Sequence, residues 1–210
     1  MIATKINKHP FDWKFGILWT LATILGLVLG IAISLIVITV IYKITHINED
    51  TIAMFIIFPS IGFSVGFLQW LNLRRRVSWA SMWTWVTAAG WIISIPLALL
   101  LYTWLRSISA SAFVDVWGKT IQATMIAILI GAIQWLLLRR YISRAGWWIF
   151  ANVIGWNAAS LISGAGAMVG VLDSIPMGIS VGAVTGLALA WLLQQPPMDP
   201  NTTRQESQST

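Results

Sequence analysis

Two stretches of this chain bring an amide, an indole and a guanidinium together. They are Gln69-Trp70-Leu71-Asn72-Leu73-Arg74-Arg75 and, about 65 residues later, Gln134-Trp135-Leu136-Leu137-Leu138-Arg139-Arg140. Gln69, Trp70 and Arg74 in the first copy, and Gln134, Trp135 and Arg139 in the second, carry the groups that would frame a lipid head-group or a partner at a cytoplasmic face. Basic pockets between helices on that side bind anionic lipid. The plainer alternative is a helix end at which tryptophan anchors and arginine snorkels. The two overlap, because anchoring already is head-group contact.

A second constellation is uncharged. Four residues after each of Trp19, Trp83 and Trp148 comes a polar side chain: Thr23, Thr87 and Asn152, with Asn157 close to the last. If the three segments insert the same way round, these residues share one depth in the cytoplasmic half of the membrane. They would then line a ligand or ion layer, or serve as hydrogen-bonding glue between helices worth about 0.6 kcal/mol per bond.

Other chemistry is excluded or disfavoured. Cysteine is absent, and the two histidines, His9 and His46, lie outside the apolar runs. Disulfides, thiol catalysis and thiolate metal sites are therefore ruled out. No nucleophile–base pair or metal cluster can be assembled, so no enzyme activity, catalytic residue, metal or cofactor is expected. No Asp, Glu, Lys or Arg falls deep in an apolar run, although proton-coupled transporters usually place ionisable groups there. Asp115 and Asp173 fall in outer loops and are expected to be solvated. The net charge of +6 does not point to nucleic acid, because the basic residues stand at the ends of apolar runs, where membrane topology puts them.

The elements that must position these groups are transmembrane helices. Of 210 residues, 58% are hydrophobic and 10% charged, with mean hydropathy +0.79; a soluble domain carries about 25% charged residues. Uncharged stretches run 15–42, 51–73, 77–105, 120–138, 145–172 and 174–198, each long enough to cross a hydrocarbon core of about 30 Å. A five-span count would make 145–198 one very long span. The Gly- and Pro-bearing segment Gly164–Pro176 opposes that and reads as a tight hairpin. Pro59, Pro96 and Pro176 are expected to kink their helices or to be absorbed by neighbours.

Lysine and arginine set the orientation. Lys5, Lys8, Lys14, Arg74, Arg75, Arg76, Arg139, Arg140, Arg144 and Arg204 collect on one side, against Lys43, Arg106 and Lys119 on the other. The positive-inside bias makes the first side cytoplasmic, with both termini there. Trp13, Trp19, Trp70, Trp79, Trp83, Trp85, Trp135, Trp147, Trp148 and Trp191 gather near that face and are expected to form an interfacial belt. The first apolar run is too long for a cleaved secretory signal. Residues 1–195 thus form a six-helix transmembrane domain, and the polar, Pro-bearing tail 196–210 is expected to be disordered on the cytoplasmic side.

The chain also repeats. Beyond the two Gln-Trp segments, a fainter copy ends at Ala190-Trp191-Leu192-Leu193 without arginines. Small residues recur in register after each odd-helix tryptophan: Trp19/Gly26/Gly30/Ser34, Trp83/Gly90/Ser94/Ala98 and Trp148/Gly155/Ala159/Ser163. The even helices carry Gly62/Gly66, Ala123/Ala127/Gly131 and Gly178/Gly182/Gly186. The expected fold is all-α, three tandem helical hairpins over about 11–74, 75–140 and 141–195. Lipid tails are as apolar as leucine, so helices associate through the close contact that small residues allow. A compact bundle is expected rather than a wide pore.

The Gln-Trp-Leu-x-Leu-Arg-Arg segments, with Trp147-Trp148 and Gly155-Trp156, resemble those of uncharacterised multi-spanning membrane proteins of cyanobacteria and some other bacteria. The resemblance covers about residues 60–160. It implies a bacterial cell (inner) membrane or a thylakoid membrane and carries no activity over. The expectation is a non-enzymatic accessory or scaffold subunit that binds membrane lipids or a larger membrane protein complex. The alternative is a small transporter or substrate-capture component for a neutral or apolar ligand.

Overall fold

The structure is a computed structural model that describes residues 12–108, 112–162 and 174–195. Ser163, Asp173, the tail 196–210, Lys5, Lys8, His9, Arg204, most of the Gly164–Pro176 segment and the side chains of Asp115 and Lys119 lie outside the described residues. Six helices follow in order: α1 (Trp13–Thr45), α2 (Glu49–Leu73), α3 (Ala80–Ile108), α4 (Ala112–Leu138), α5 (Trp147–Ile162) and α6 (Ser174–Leu192). Five of them (α1, α2, α3, α4 and α6) are long and apolar enough to cross a membrane; α5 is described over 16 residues. The protein is a helical membrane-embedded chain. Pro59 and Pro96 sit inside α2 and α3, which run on through them.

Local chemistry sets the ends of α1. Asp12 caps its first turn, accepting a hydrogen bond from the Phe15 N–H at 3.0 Å, which pairs one of the four otherwise unpaired amides. At the other end His46 takes a left-handed conformation (φ 54°) and returns its N–H to the Tyr42 carbonyl.

Each helix packs on its chain neighbours, and α6 packs back on α1, so the six close into a ring. Among the described residues no other pair of helices is in backbone contact. Glycines line the seams. A Cβ on Gly26 would meet the Val65 Cα at 2.5 Å and one on Gly30 the Ile61 Cα at 2.5 Å, so α1 and α2 touch backbone to backbone. Gly62 and Gly66 face α3, Gly131 faces α5, Gly155 faces α6, and Gly178, Gly182 and Gly186 face α1. Gly26, Gly30, Gly62, Gly66, Gly90, Gly131, Gly155, Gly178, Gly182 and Gly186 therefore each serve the seam to the next helix round the ring, whereas Gly16 meets α6 and Gly118 meets Tyr102 of α3. Gly90 is the loosest of the set, with Ile130 at 3.6 Å.

Two apolar cores fill the ring. One joins Phe15, Leu73, Trp79, Leu138, Ile142, Ala145 and Leu192. These residues come from the start of α1, the α2–α3 and α4–α5 connections and the end of α6, which therefore converge at one end. The other core lies deeper and includes Leu27, Ile61, Val65, Ile95, Ile126, Ile130 and Met177. The outer surface stays apolar: Leu21, Leu25, Leu29, Ile33 and Ile36 of α1 are all exposed, as helices facing lipid require.

The tryptophans divide in a way the expected belt did not anticipate. Trp13, Trp85 and Trp147 are exposed, whereas Trp19, Trp79, Trp83 and Trp148 are buried. The last four are core, not interface. Indole fits either setting, and here the inward faces of α1, α3 and α5 claim Trp19, Trp83 and Trp148, while Trp79 is buried in the α2–α3 connection.

Ser94 is fully buried, and its Oγ has no hydrogen-bond partner. An unpaired buried hydroxyl costs about 1–3 kcal/mol. Ser94→Ala is therefore expected to raise the melting temperature in detergent; a fall would mean the hydroxyl is paired.

Candidate functional site

At one level of the ring axis α1, α3 and α5 each contribute a tryptophan, and the three meet there. Trp19 lies 5.6 Å from Trp83 and 6.3 Å from Trp148 between ring centroids, and Trp83 lies 5.5 Å from Trp148. All three contacts are edge-on, the geometry ring quadrupoles favour. The three rings are 0%, 0% and 1% exposed, which seals the axis at this level.

Each buried indole N–H needs an acceptor. Trp83 Nε1 donates to Gln69 Oε1 at 2.8 Å, and Trp148 Nε1 donates to Gln134 Oε1 at 2.9 Å. The same amides donate onward, Gln69 Nε2 to Thr23 Oγ1 at 3.0 Å and Gln134 Nε2 to Thr87 Oγ1 at 3.1 Å. Each glutamine thus ties its own helix to the helices on both sides. Thr23 returns its proton to the Trp19 carbonyl, and Asn152 Nδ2 donates to the Trp148 carbonyl at 3.0 Å.

The third copy closes differently. Ala190 stands where the glutamines stand, and Trp19 Nε1 donates instead to Thr185 Oγ1 at 3.1 Å. Thr185 passes its own proton to the Val181 carbonyl.

No family model, curated protein or solved structure matches this chain. What the site can do must be read from its own geometry.

Thr23, Thr87 and Asn152 do come together, around one central space that Gln69, Gln134 and Thr185 also line. Asn157 does not join them; it is half-buried and accepts a hydrogen bond from Thr124 Oγ1 at 3.0 Å on the α4–α5 seam. The glutamines were expected beside Trp70, Arg74, Trp135 and Arg139, but the structure separates them. Gln69 and Gln134 are buried, while the Arg74 guanidinium lies 5.3 Å from the centroid of the Trp70 ring and that of Arg139 4.9 Å from the Trp135 ring. Helix geometry explains the split, since five residues turn the helix by roughly 140° beyond a full turn.

Thr185 was missed by sequence reasoning. One signal was available: it stands four residues before Leu189 and three after Gly182, on the face that the α6 glycines turn inward.

At the end where the connections converge, the surface is basic. Arg76 pairs with Asp12 at 2.7 Å and stacks on Phe15 at 4.8 Å. The Phe15 backbone N–H, and then Arg76, hold the Asp12 carboxyl below its ordinary range. Among the described residues no group of three or more His, Cys, Asp or Glu comes together to hold a metal.

Proposed function

We propose that this chain is a non-enzymatic accessory or scaffold subunit of a membrane, binding lipid or a larger membrane complex through its basic rim. In this reading it crosses the membrane six times as three hairpin repeats, with both termini in the cytoplasm. The membrane is a bacterial inner or thylakoid one, as the Gln-Trp-Leu-x-Leu-Arg-Arg resemblance suggests. The observation that carries the proposal is the division of labour in the ring. The axis is closed by three interlocked tryptophans, and exposed guanidiniums ride on half-buried tryptophans at one end. A planar cation held over an indole at head-group depth can take an anionic phosphate while its stem stays in the apolar layer.

Native mass spectrometry from mixed bilayers tests it. The protein should retain anionic lipid over zwitterionic lipid, and Arg74→Ala with Arg139→Ala should reduce that preference several-fold without lowering the melting temperature. Equal retention by the double variant would show that the rim does not bind the lipid.

A second reading, a small transporter or capture component for a neutral or apolar ligand, draws support from the central space lined by Thr23, Thr87 and Asn152. It requires a ligand-dependent rise in melting temperature that Asn152→Ala abolishes. If no neutral metabolite shifts the wild-type protein, that reading fails.

A further inference from the structure

We infer that the central space is a binding site for an uncharged hydroxyl group, supplied by water or by a small neutral solute. The space lies beside the tryptophan plug, and its lining includes Asn152, Thr87, Gln134, Trp91 and Trp156. Asn152 is 3% exposed and commits its Nδ2 to the Trp148 carbonyl. Its Oδ1 has no partner among the described residues. The indoles of Trp91 and Trp156 are buried with ring centroids 5.5 Å apart, and neither N–H meets an acceptor among the described residues.

Among those residues, Ser94 Oγ alone is both fully occluded and unpartnered. The Asn152 oxygen and the two indole N–H groups are therefore not fully occluded, and all three residues line the central space. Buried indoles usually find an acceptor, and an unpaired polar group in an apolar setting is costly.

The chemistry narrows the occupant. Among the described residues no charged side chain lines the space, so they offer neither an anion nor a cation a counter-charge. The groups the lining leaves open include one acceptor, the Asn152 oxygen, and several donors: the two indole N–H groups and the second amide N–H of Gln69 and of Gln134. A hydroxyl satisfies both kinds, donating to Asn152 and accepting from an indole or an amide. The volume open to the centre of a water-sized sphere is about 30 Å³. One water needs roughly 10–15 Å³ on that measure, so the space admits about two waters or one small alcohol.

This inference shares its site with the second reading and rests on it for the space, not for transport. The test uses the full chain in lipid bilayers with ¹⁵N-labelled indoles, observed by solid-state NMR. Trp91→Phe and Trp156→Phe identify the two signals while keeping the packing. The indole N–H protons should show cross-peaks to a hydroxyl proton. A peak at the water frequency identifies water, and one at a retained solute's frequency identifies the solute. Absence of any hydroxyl cross-peak from both indoles overturns the inference. Hydroxyl cross-peaks without any ligand-dependent melting shift would sink the capture reading and leave the site standing.

Discussion

Gly26→Ala and Gly30→Ala should each destabilise the protein by about 2–3 kcal/mol, while Gly90→Ala should change it by less than about 0.5 kcal/mol. All three lie on odd helices and differ mainly in what a new methyl would meet. On Gly26 and Gly30 it would sit 2.5 Å from a Cα of α2. Backbone cannot rotate aside as a side chain can, so α1 and α2 must part and forfeit dispersion contacts along the seam. On Gly90 the nearest atom lies at 3.6 Å, and the gain in helix propensity offsets the small crowding. Gly66→Leu and Gly131→Leu carry the same logic to larger side chains and should be worse still. Thermal unfolding in detergent reads all five; equal effects at Gly26 and Gly90 would contradict backbone contact at the seam.

Trp83→Ala should cost about 3–5 kcal/mol. Its indole fills the axis against Trp19 and Trp148, and its N–H satisfies Gln69. Removing it opens a cavity and strands a buried amide oxygen. Trp85→Ala, two residues away, should be nearly neutral, because Trp85 is 69% exposed. Trp83→Phe separates the two causes: it keeps most of the volume and orphans Gln69 Oε1, for about 1–3 kcal/mol. Losses of similar size at Trp83 and Trp85 would mean that the plug is not the core of the ring.

The helical membrane class was legible in the sequence because lipid forces it. Uninterrupted apolar runs between charges have few other uses, and the glycine stripes mark close seams. The shared depth of Thr23, Thr87 and Asn152 followed from their constant spacing after a tryptophan. What the sequence concealed was rotation about each helix axis. Trp19, Trp83 and Trp148 read as interfacial because indole is amphipathic, and a bilayer edge and a packed axis both suit it. Gln69 read as part of the rim because it adjoins Trp70. The four-residue series Ile61, Val65, Gln69, Leu73, all four buried, places it inward instead. Thr185 escaped notice because the pairing it makes replaces a residue type, Gln, that the third copy lacks.

In the proposed topology the chain returns to the side on which it starts, so that the basic rim gathers on one face. The chain has no cysteine, which makes single-cysteine variants clean reporters. Ser78→Cys, Ser107→Cys and Gln194→Cys place reporters at exposed positions in the α2–α3 connection, at the end of α3 and just past α6. A membrane-impermeant maleimide applied to inverted and right-side-out vesicles reads their sides. Ser78→Cys and Gln194→Cys should label from the cytoplasmic side and Ser107→Cys from the opposite side. Labelling of Gln194→Cys together with Ser107→Cys would make the span count odd and contradict that topology.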